Sequence, residues 1–482
     1  MNKGLPNCGV AGRLACAAAL IVLHAVLALI SFRFAYGTPL ADRPILAMVA
    51  IELLAGLIYC VGVWRIWEAN WPSQRLLIVV ILVTGGLMRL ALLPSRPILE
   101  DDFYRYLWDG GVVAAGHNPY ATAPEDVSDA RSGSGDGHAE LRELAEASGL
   151  VHERINYPHL RTIYPPLAQA VFALAHRIDP WGLFGWRLVI LLTELMTLAL
   201  LAGLLKEAGL PLGCLAIYWW NPLVAKELVN SAHMDALVLP LVLAGLLCAV
   251  RHRWLLASAL VGMGAGVKLW PVILLPLFLR NLLRRPRRLA ASVLVFALTA
   301  LIILGPFTLV ATGPDSGLVA YGQKWEMNDA LFMTLSWGVL PLARLAGGTA
   351  ETARLVTRVM VGMLLFGWVV WLAFRENGKP SDLYEKCLLA VAALFLLSPT
   401  QFPWYAVWFI PFLALRPRPS LLLLSVLLFL YYLRFYFAGI ERTALFDYGI
   451  VYLEFLPVWG LLIWEWMRSR PPYPLDHRAR TP

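Results

Sequence analysis

The sequence predicts an all-α, polytopic helical membrane protein, and three observations support this class. Hydrophobic residues make up 59% of the 482 residues and charged residues only 15%, and the mean hydropathy is +0.66. Several apolar runs approach or reach the roughly 20 residues with which a helix crosses a bilayer. The basic residues collect in short segments between such runs. Because lipid offers the backbone no hydrogen-bond partners, each run is expected to satisfy its own backbone as a helix.

About fourteen spans are expected, with 12–14 as the range because several runs are short or interrupted by proline. The first run follows Lys3 and Arg13 and has no small-residue cleavage site after it, so we interpret it as a retained span. Short helical pieces at membrane depth indicate an internal cavity, where irregular backbone is tolerated. The predicted spans lie near 12–35, 44–64, 75–93, 183–205, 211–229, 233–250, 254–267, 270–283, 288–310, 354–374, 385–400, 403–415, 419–437 and 448–467.

The distribution of charge predicts which segments face the cytoplasm. Segment 94–163 carries 12 of the 32 acidic residues and only 6 basic ones, which predicts an extracytoplasmic position. By the positive-inside rule, the segments rich in basic residues are cytoplasmic. These segments are 251–253, 280–288, 416–418 and 468–480.

We therefore expect a single transmembrane domain over 1–482 in the cell inner (plasma) membrane. It has an extracytoplasmic acidic loop at 94–182 and a second extracytoplasmic segment at 312–353. Membrane lipids are expected partners. Nucleic acid is not, because the basic residues behind the formal net charge of +8 are divided among short cytoplasmic loops.

A cluster of acids in the sequence "EDDFYRYLWDG" is the strongest candidate for chemistry. Glu100, Asp101 and Asp102 are adjacent, and in a helix Asp102, Arg105 and Asp109 would share one face. One interpretation is structural: acids complement a helix N-terminus and pair with Arg105. However, adjacent carboxylates repel one another, and this cluster lies at the lipid boundary. The arrangement favours a bound cation, or one acid that acts as a base.

Further polar segments fall on the same predicted side of the membrane. Ionisable residues at membrane depth usually face a cavity or a partner. A buried ammonium at Lys268 needs an anion, and a phosphate would serve, whereas a packing role for His233 remains as plausible as a functional one. The candidate binding residues in these segments are Arg161, Tyr164, Asn221, His233, Asp235, Lys268 and Gln401, in addition to Arg105 and Asp109.

Four motifs in order carry a resemblance to a known family. The series "EDDFYRYLWDG…NPY", "YPPL", "WNPL…SAHMDA" and "GVKLWP" resembles the GT-C superfamily of integral-membrane glycosyltransferases over roughly residues 75–285. Within it, the chain is similar to bacterial polyprenyl-phosphate-mannose-dependent mannosyltransferases and, more distantly, to the catalytic subunit of GPI mannosyltransferase I. The resemblance implies a GT-C-like fold and a catalytic carboxylate in an early extracytoplasmic loop.

Carried onto this sequence, that acidic motif falls on Glu100, Asp101 and Asp102. It reads Glu-Asp-Asp here, whereas some relatives have Asp-x-Asp. Which acid acts is therefore open, and so is a metal requirement, for which Glu100 and Asp101 would be the ligands of Mg or Mn. Aromatic residues such as Trp108, Trp325 and Trp404 are candidates for stacking on sugar faces.

The expected function is transfer of a hexose, with mannose as the first candidate, from a polyprenyl-phosphate sugar to a lipid or glycan acceptor. The reaction would be an inverting single displacement on the extracytoplasmic face. One carboxylate would deprotonate the acceptor hydroxyl, while a cation offsets charge on the phosphate. A pentose, aminoarabinose or glucose donor is an alternative. So is a lipid-linked sugar flippase or transporter, although that predicts inverted repeats and charges spread across the membrane depth.

Overall fold

The computed structural model describes residues 7–68, 73–128, 136–308, 316–375 and 381–468. Within these ranges the chain forms helices and two isolated β-bridges, and the predicted all-α polytopic class is confirmed. Eight of the described helices are long and apolar enough to cross a membrane: Gly12–Ser31, Ile45–Ile66, Gln74–Leu92, Leu183–Glu207, Pro286–Thr308, Ala350–Phe374, Pro419–Gly439 and Thr443–Met467.

A ninth candidate span is broken in the middle. The helices Pro222–Asn230 and Met234–Val250 would together be long enough to cross, but they meet at 108°. By length and composition, the described chain thus has fewer spans than the 12–14 predicted. The other predicted spans fall on shorter helices, which include Trp254–Ala265, Trp270–Leu282, Ser381–Leu397 and Ile410–Leu415.

Proline explains much of this fragmentation. Pro222, Pro271, Pro403 and Pro411 each occupy the first turn of a short helical piece. Proline has no N–H to donate and fits a helix start, but it disfavours the continuation of a preceding helix. An apolar run that looks continuous in the sequence is therefore divided into short pieces with different directions.

The acidic loop is itself helical and packs as a cap on the spans. Its helices are Asp102–Ala114, Pro124–Ser128, Asp136–Ala147, Leu150–Glu153 and Pro166–Ile178. The first and last pack against each other through the stacked rings of Tyr106 and Phe172, whose centroids are 5.0 Å apart. Gly110 permits this approach, because a Cβ there would lie 2.5 Å from the Phe172 carbonyl oxygen.

The second predicted extracytoplasmic segment, 312–353, is also largely helical. It contains Gly317–Lys324, Ala330–Leu345 and the start of Ala350–Phe374. Residues 312–315, and most of the basic segment 468–480, lie outside the described residues.

The acidic loop and the basic loops lie at opposite ends of the long helix Leu183–Glu207. This helix begins where the acidic loop ends, and its last residue pairs with Arg251, with 2.8 Å between the Arg251 Nη2 and Glu207 Oε2 atoms. A helix of 25 residues is about 37 Å long, which is more than the thickness of a bilayer core. The separation agrees with the charge asymmetry from which the orientation was predicted.

Candidate functional site

A cavity of about 600 Å³ lies between the acidic loop and the adjacent ends of the spans. Its volume is typical of sites that hold a small molecule. It brings together residues that are distant in the sequence and that separate motifs contribute. The predicted site residues that line it are Glu100, Asp101, Asp102, Arg105, Arg161, Tyr164, Asp235 and Lys268.

Two buried side chains hold the segment that precedes the acids. Arg187 donates to the carbonyls of Ser95 and Asn230, each at 2.7 Å. The Asn230 side chain donates to the Arg96 carbonyl at 2.7 Å and accepts from the Ile98 amide at 3.1 Å. Because Asn230 ends the first half of the broken span, these bonds fix the acidic segment relative to that break.

Asp102 is the first residue of a loop helix and faces the cavity. One of its oxygens, Oδ1, accepts a hydrogen bond from Asn156 Nδ2 at 2.8 Å, and the same amide donates to Asp101 Oδ1 at 2.8 Å. Burial, with the adjacent charge of Asp101, raises the pKa of Asp102 to about 6. Burial also raises the pKa of Asp101. A carboxylate with a pKa near 6 is well suited to act as a general base near neutral pH.

The break in the bent span places His233 directly behind the acids. Its Nδ1 atom is 3.8 Å from Asp102 Oδ2, and its Nε2 atom is 3.6 Å from Glu227 Oε2 and 3.9 Å from Glu100 Oε2. The buried imidazole stacks on Trp404, with ring centroids 4.1 Å apart. Ala232 just before it has a φ of 59°, a left-handed conformation that is rare for residues other than glycine. His233 is not among the cavity-lining residues; it lies behind the acids, and neither of its ring nitrogens makes a hydrogen bond within the described chain.

Lys268 provides a cation on another wall of the cavity. Its Nζ atom donates to Asp235 Oδ1 at 2.6 Å, and the Trp408 indole donates to the same oxygen at 2.6 Å. The ammonium also lies 4.4 Å from the centre of the Tyr405 ring, a cation–π distance. An ammonium has three N–H donors, and within the described chain only Asp235 accepts a hydrogen bond from this one. Lys268 is therefore held in place with donors left for an anionic ligand.

Arg161 and Tyr164 line the cavity from the last part of the acidic loop. The Arg161 carbonyl accepts from the Gly317 amide at 3.2 Å, which joins this loop to the segment 312–353. A Cβ at Gly317 would lie 2.5 Å from that carbonyl oxygen, so the contact requires glycine. The Tyr164 ring packs edge-on against Tyr106, with centroids 5.1 Å apart.

Asp109 shares a helix face with Asp102 and Arg105, as predicted, but it does not line the cavity. Its Oδ1 atom accepts from Arg105 Nε at 2.9 Å. Its Oδ2 atom accepts from Thr162 Oγ1 at 2.5 Å and from Gln169 Nε2 at 2.9 Å. The carboxylate thus ties together three parts of the acidic loop, which explains its burial without a ligand.

Asn221 and Gln401 also lie outside the set of described residues that line the cavity. Asn221 begins a helix: its Oδ1 atom accepts from the Leu223 amide at 3.0 Å, and its Nδ2 atom donates to Ser425 Oγ at 3.1 Å. The Gln401 amide donates to the Ser398 carbonyl at 3.1 Å. Helix capping and turn formation account for both residues, and no pattern in the sequence separates such roles from ligand binding.

Several cavity residues were not among the predicted site residues. Asn156 lies in the motif "NYPHLRTIYPP", but no spacing rule links it to acids that far upstream. Of the predicted sugar-stacking aromatics, Trp325 and Trp404 line the cavity, whereas Trp108 packs against Trp181 with centroids 6.2 Å apart. The other lining residues that the prediction missed include Tyr157, Tyr321, Tyr405, Trp408 and Arg434.

No group of three or more His, Cys, Asp or Glu side chains in the described ranges has the geometry to hold a metal. Glu100 and Asp101 line the cavity, and Asp101 is held by Asn156. A divalent cation at these two acids stays a prediction.

Within the described residues, the protein is a polytopic helical membrane protein whose acidic, lysine-containing cavity has the size of a small-ligand site. The sequence profile of a family described as alpha-(1->6)-mannopyranosyltransferase, N-terminal domain, matches residues 7–284, more than half of the chain. The chain belongs to this family. The match covers the acids and Lys268, while Trp404, Tyr405 and Trp408 lie beyond it.

Individual relatives are similar over part of their length. A polyprenol-phosphate-mannose-dependent alpha-(1-2)-phosphatidylinositol pentamannoside mannosyltransferase of Mycobacterium tuberculosis is 27% identical over 272 residues, which are 52% of this chain and 56% of that protein. The enzyme of the same name from Mycolicibacterium smegmatis is 27% identical over 267 residues, 52% of this chain and 59% of that protein. The chain thus spans less than two thirds of the length of these two proteins.

A third relative is matched over more of the chain. Alpha-(1->6)-mannopyranosyltransferase A of Mycobacterium tuberculosis is 23% identical over 403 residues, which are 78% of this chain and 71% of that protein. No solved structure matches the chain. The family match and these relatives confirm the predicted resemblance to membrane mannosyltransferases.

Proposed function

We propose that the protein transfers mannose from a polyprenyl-phosphate-mannose donor to a hydroxyl group of a lipid or glycan acceptor. The observation that carries this proposal is that Asp102 and Lys268 line one cavity, so a carboxylate base and a cation face the same ligand. The family match and the names of the relatives support mannose and the polyprenol-phosphate carrier.

The reaction would proceed in one displacement. The acceptor oxygen attacks the anomeric carbon, and its proton passes to the Asp102 carboxylate. The bond between the anomeric carbon and the phosphate oxygen breaks, and its electron pair remains on the phosphate. The hydrogen bond from Asn156 to Oδ1 fixes the orientation of this carboxylate. Attack on the face opposite the phosphate inverts the configuration at the anomeric carbon.

Lys268 would stabilise the departing phosphate. The polyprenyl phosphate gains negative charge as the glycosidic bond breaks, and a fixed cation lowers the energy of that transition state. Asp235 holds the ammonium at 2.6 Å, and Tyr405 faces it with its ring, so little reorganisation is needed during the reaction. No general acid is required, because a phosphate is a good leaving group.

The reaction would take place on the extracytoplasmic side. The cavity is built on the acidic loop, whereas the basic segments that the positive-inside rule assigns to the cytoplasm follow the opposite helix ends. A lipid-linked donor could then lie with its tail in the membrane and its sugar in the cavity.

A transfer assay with purified protein in lipid nanodiscs tests the proposal. The donors are polyprenyl phosphates that carry radiolabelled mannose, glucose, arabinose or aminoarabinose, and the acceptors are membrane glycolipids. We expect label to move from the mannose donor to the acceptors, with loss of transfer in Asp102→Asn. Transfer from a different donor would show that the transferred sugar is not mannose. Movement of the intact donor across a liposome membrane without any transfer would show that the protein is a flippase and not a glycosyltransferase.

A further inference from the structure

His233 is a fully buried histidine, and both of its ring nitrogens lack a hydrogen bond within the described chain. A neutral imidazole has one donor nitrogen and one acceptor nitrogen, and buried groups of this kind are usually paired. Packing alone does not account for the residue, because an apolar ring could stack on Trp404 at the same 4.1 Å between ring centroids. Unpaired buried nitrogens need an explanation, and a role in the reaction is one.

The backbone around His233 is held by contacts from other parts of the fold. Its amide donates to the Glu227 carbonyl at 3.1 Å, across the break of the bent span. The carbonyl of Ala232, the residue with the left-handed φ of 59°, accepts from the Trp186 indole at 2.8 Å. Strained backbone that is supported in this way concentrates at functional sites. The directions in which the two ring nitrogens point are therefore set by the fold.

One ring nitrogen, Nε2, faces the Glu227 carboxylate, with 3.6 Å between Nε2 and Oε2. The other oxygen of that carboxylate, Oε1, accepts from the Tyr432 hydroxyl at 2.8 Å and lies 3.3 Å from Lys226 Nζ. A cation and an O–H donor favour the charged form of a carboxylate. Oε2 is buried and makes no hydrogen bond within the described chain. Since an ionised carboxylate only accepts hydrogen bonds, the hydrogen of a neutral imidazole belongs on Nε2.

The second ring nitrogen, Nδ1, faces Asp102 Oδ2 at 3.8 Å. With the hydrogen on Nε2, Nδ1 is an acceptor, and it cannot form a hydrogen bond with an ionised carboxylate, which is an acceptor too. When Asp102 takes the proton of the acceptor hydroxyl, its new O–H group can donate to Nδ1 after a shift of about 1 Å. Hydrogen bonds of catalytic groups are often long in a ligand-free enzyme and shorten in the reacting complex.

We infer that His233 is a positioning residue for the general base, and that Glu227 holds its imidazole in the tautomer that this role requires. The inference rests on the proposed function of Asp102. The O–H bond of the acceptor breaks, an O–H bond forms on Asp102, and the imidazole accepts a hydrogen bond from it without becoming charged. This bond stabilises the protonated form of the base, so Asp102 is a stronger proton acceptor than it would be beside an apolar side chain.

The tautomer can be measured without any sugar transfer. Protein with isotope-labelled histidine is placed in lipid nanodiscs near neutral pH, and the His233 signal is identified by its absence from His233→Asn. We expect the nitrogen chemical shifts of a neutral imidazole with its hydrogen on Nε2. His24 is an internal reference for the opposite tautomer, because its Nδ1 atom lies 2.7 Å from the Leu20 carbonyl oxygen. A hydrogen on Nδ1 of His233, or an imidazolium, would overturn the inference.

Two substitutions distinguish this role from packing by the order of their activities. Asparagine keeps an acceptor oxygen near the position of Nδ1 but loses the ring, whereas phenylalanine keeps a ring on Trp404 but has no nitrogen. His233→Phe should lower kcat by about tenfold, as expected for one hydrogen bond, with donor and acceptor KM unchanged. His233→Asn should retain more activity. A kcat per folded molecule that is higher in His233→Phe than in His233→Asn would overturn the inference.

Glu227→Gln tests whether Glu227 acts through His233. An amide at this position can donate to Nε2, which moves the imidazole hydrogen to Nδ1 and removes the acceptor that faces Asp102. kcat should fall as in His233→Phe, and the double variant should lose no more than either single variant. Losses that multiply would overturn the role of Glu227. If loss of the charge beside Lys226 unfolds Glu227→Gln, as its thermal midpoint would show, the order of the two His233 variants decides.

The control for these variants is His24→Phe, at a buried histidine that is not among the cavity-lining residues, and its kcat should equal that of wild type. The inference and the proposed function can fail separately. If wild type transfers mannose and His233→Phe keeps the wild-type kcat, the inference fails and the proposed function stands. If the hydrogen is on Nε2 but wild type transfers no sugar, the proposed function fails and the tautomer set by Glu227 stands.

Discussion

The carboxylate of Asp102 and the imidazole of His233 face each other at 3.8 Å, although one begins a loop helix and the other lies in the break of a bent span. His233 in turn lies 3.6 Å from Glu227. The acid proposed as the base is therefore supported by buried groups from the membrane part of the protein. Burial among these groups, together with the adjacent charge of Asp101, raises the pKa of Asp102 to about 6.

Asp102→Asn should reduce turnover strongly and leave the fold intact. The amide keeps the size of the side chain but cannot accept the proton, and general-base catalysis is worth on the order of 10²–10⁴ in rate. Donor affinity should change little. Glu140→Gln, an exposed substitution in the same loop, is the control. Near-normal transfer by folded Asp102→Asn would show that Asp101 or Glu100 is the general base. Rescue of Asp101→Asn by added Mg²⁺ or Mn²⁺ would indicate a bound cation.

The rate of transfer should rise with pH on the acid side, with a midpoint near 6. The base acts only when it is deprotonated, and burial raises the pKa of Asp102 to about 6. Below this pH, kcat/KM should fall by about tenfold per pH unit, because each unit reduces the deprotonated fraction tenfold. The profile is measured between pH 4.5 and 8 with wild type and Asp102→Asn. If the fall in rate at low pH is the same in Asp102→Asn, a group other than Asp102 causes this pH dependence.

Lys268→Ala should raise the donor KM or abolish turnover, whereas Lys268→Arg should restore activity only partly. An arginine is a planar fork and cannot take the place of an ammonium that fits between Asp235 and the Tyr405 ring. Donor KM and kcat are measured separately, and thermal midpoints control for folding. Lys206→Ala, far from the cavity at the end of a long helix, should behave as wild type. Unchanged donor kinetics in Lys268→Ala would show that Lys268 is only a structural partner of Asp235.

Asp109→Asn should act on stability and not on chemistry. The buried carboxylate accepts from Arg105, Thr162 and Gln169, and its neutralisation leaves the Arg105 charge without its partner. Loss of one member of a buried ion pair typically costs about 3–5 kcal/mol. The thermal midpoint should therefore fall while kcat per folded molecule stays near that of wild type. A large loss of kcat at unchanged stability would instead place Asp109 in the reaction.

Cysteine labelling tests the orientation. In a background without native cysteines, Cys in place of Glu140 should react with a membrane-impermeant maleimide in intact cells. Cys in place of Arg287, which is exposed in a basic segment, should react only after the membrane is made permeable. The opposite pattern would move the cavity to the cytoplasmic side.

The class of the protein, and the acids and the lysine that its cavity brings together, could be recognised from the sequence alone. Hydropathy is a local property, so the longest apolar runs revealed the long spans, whereas shorter runs were overcounted as spans. The charge of short loops predicted the direction of the spans. The clustering of Glu100, Asp101 and Asp102, and a lysine between two apolar helices, marked the two groups that the cavity brings together. These features can be recognised in the sequence because each lies within a few consecutive residues.

Which polar residues face the cavity depends on how distant elements pack together. The sequence does not distinguish a carboxylate that neighbouring donors satisfy, as at Asp109, from one that faces a ligand site, as at Asp102. The bend of 108° in the broken span and the left-handed Ala232 direct His233 behind the acids, and neither follows from a local pattern. Tyr157 and Trp325 meet because two distant segments pack together. Hydrogen bonding and packing between elements assign these roles, since they depend on which groups folding brings within a few ångströms.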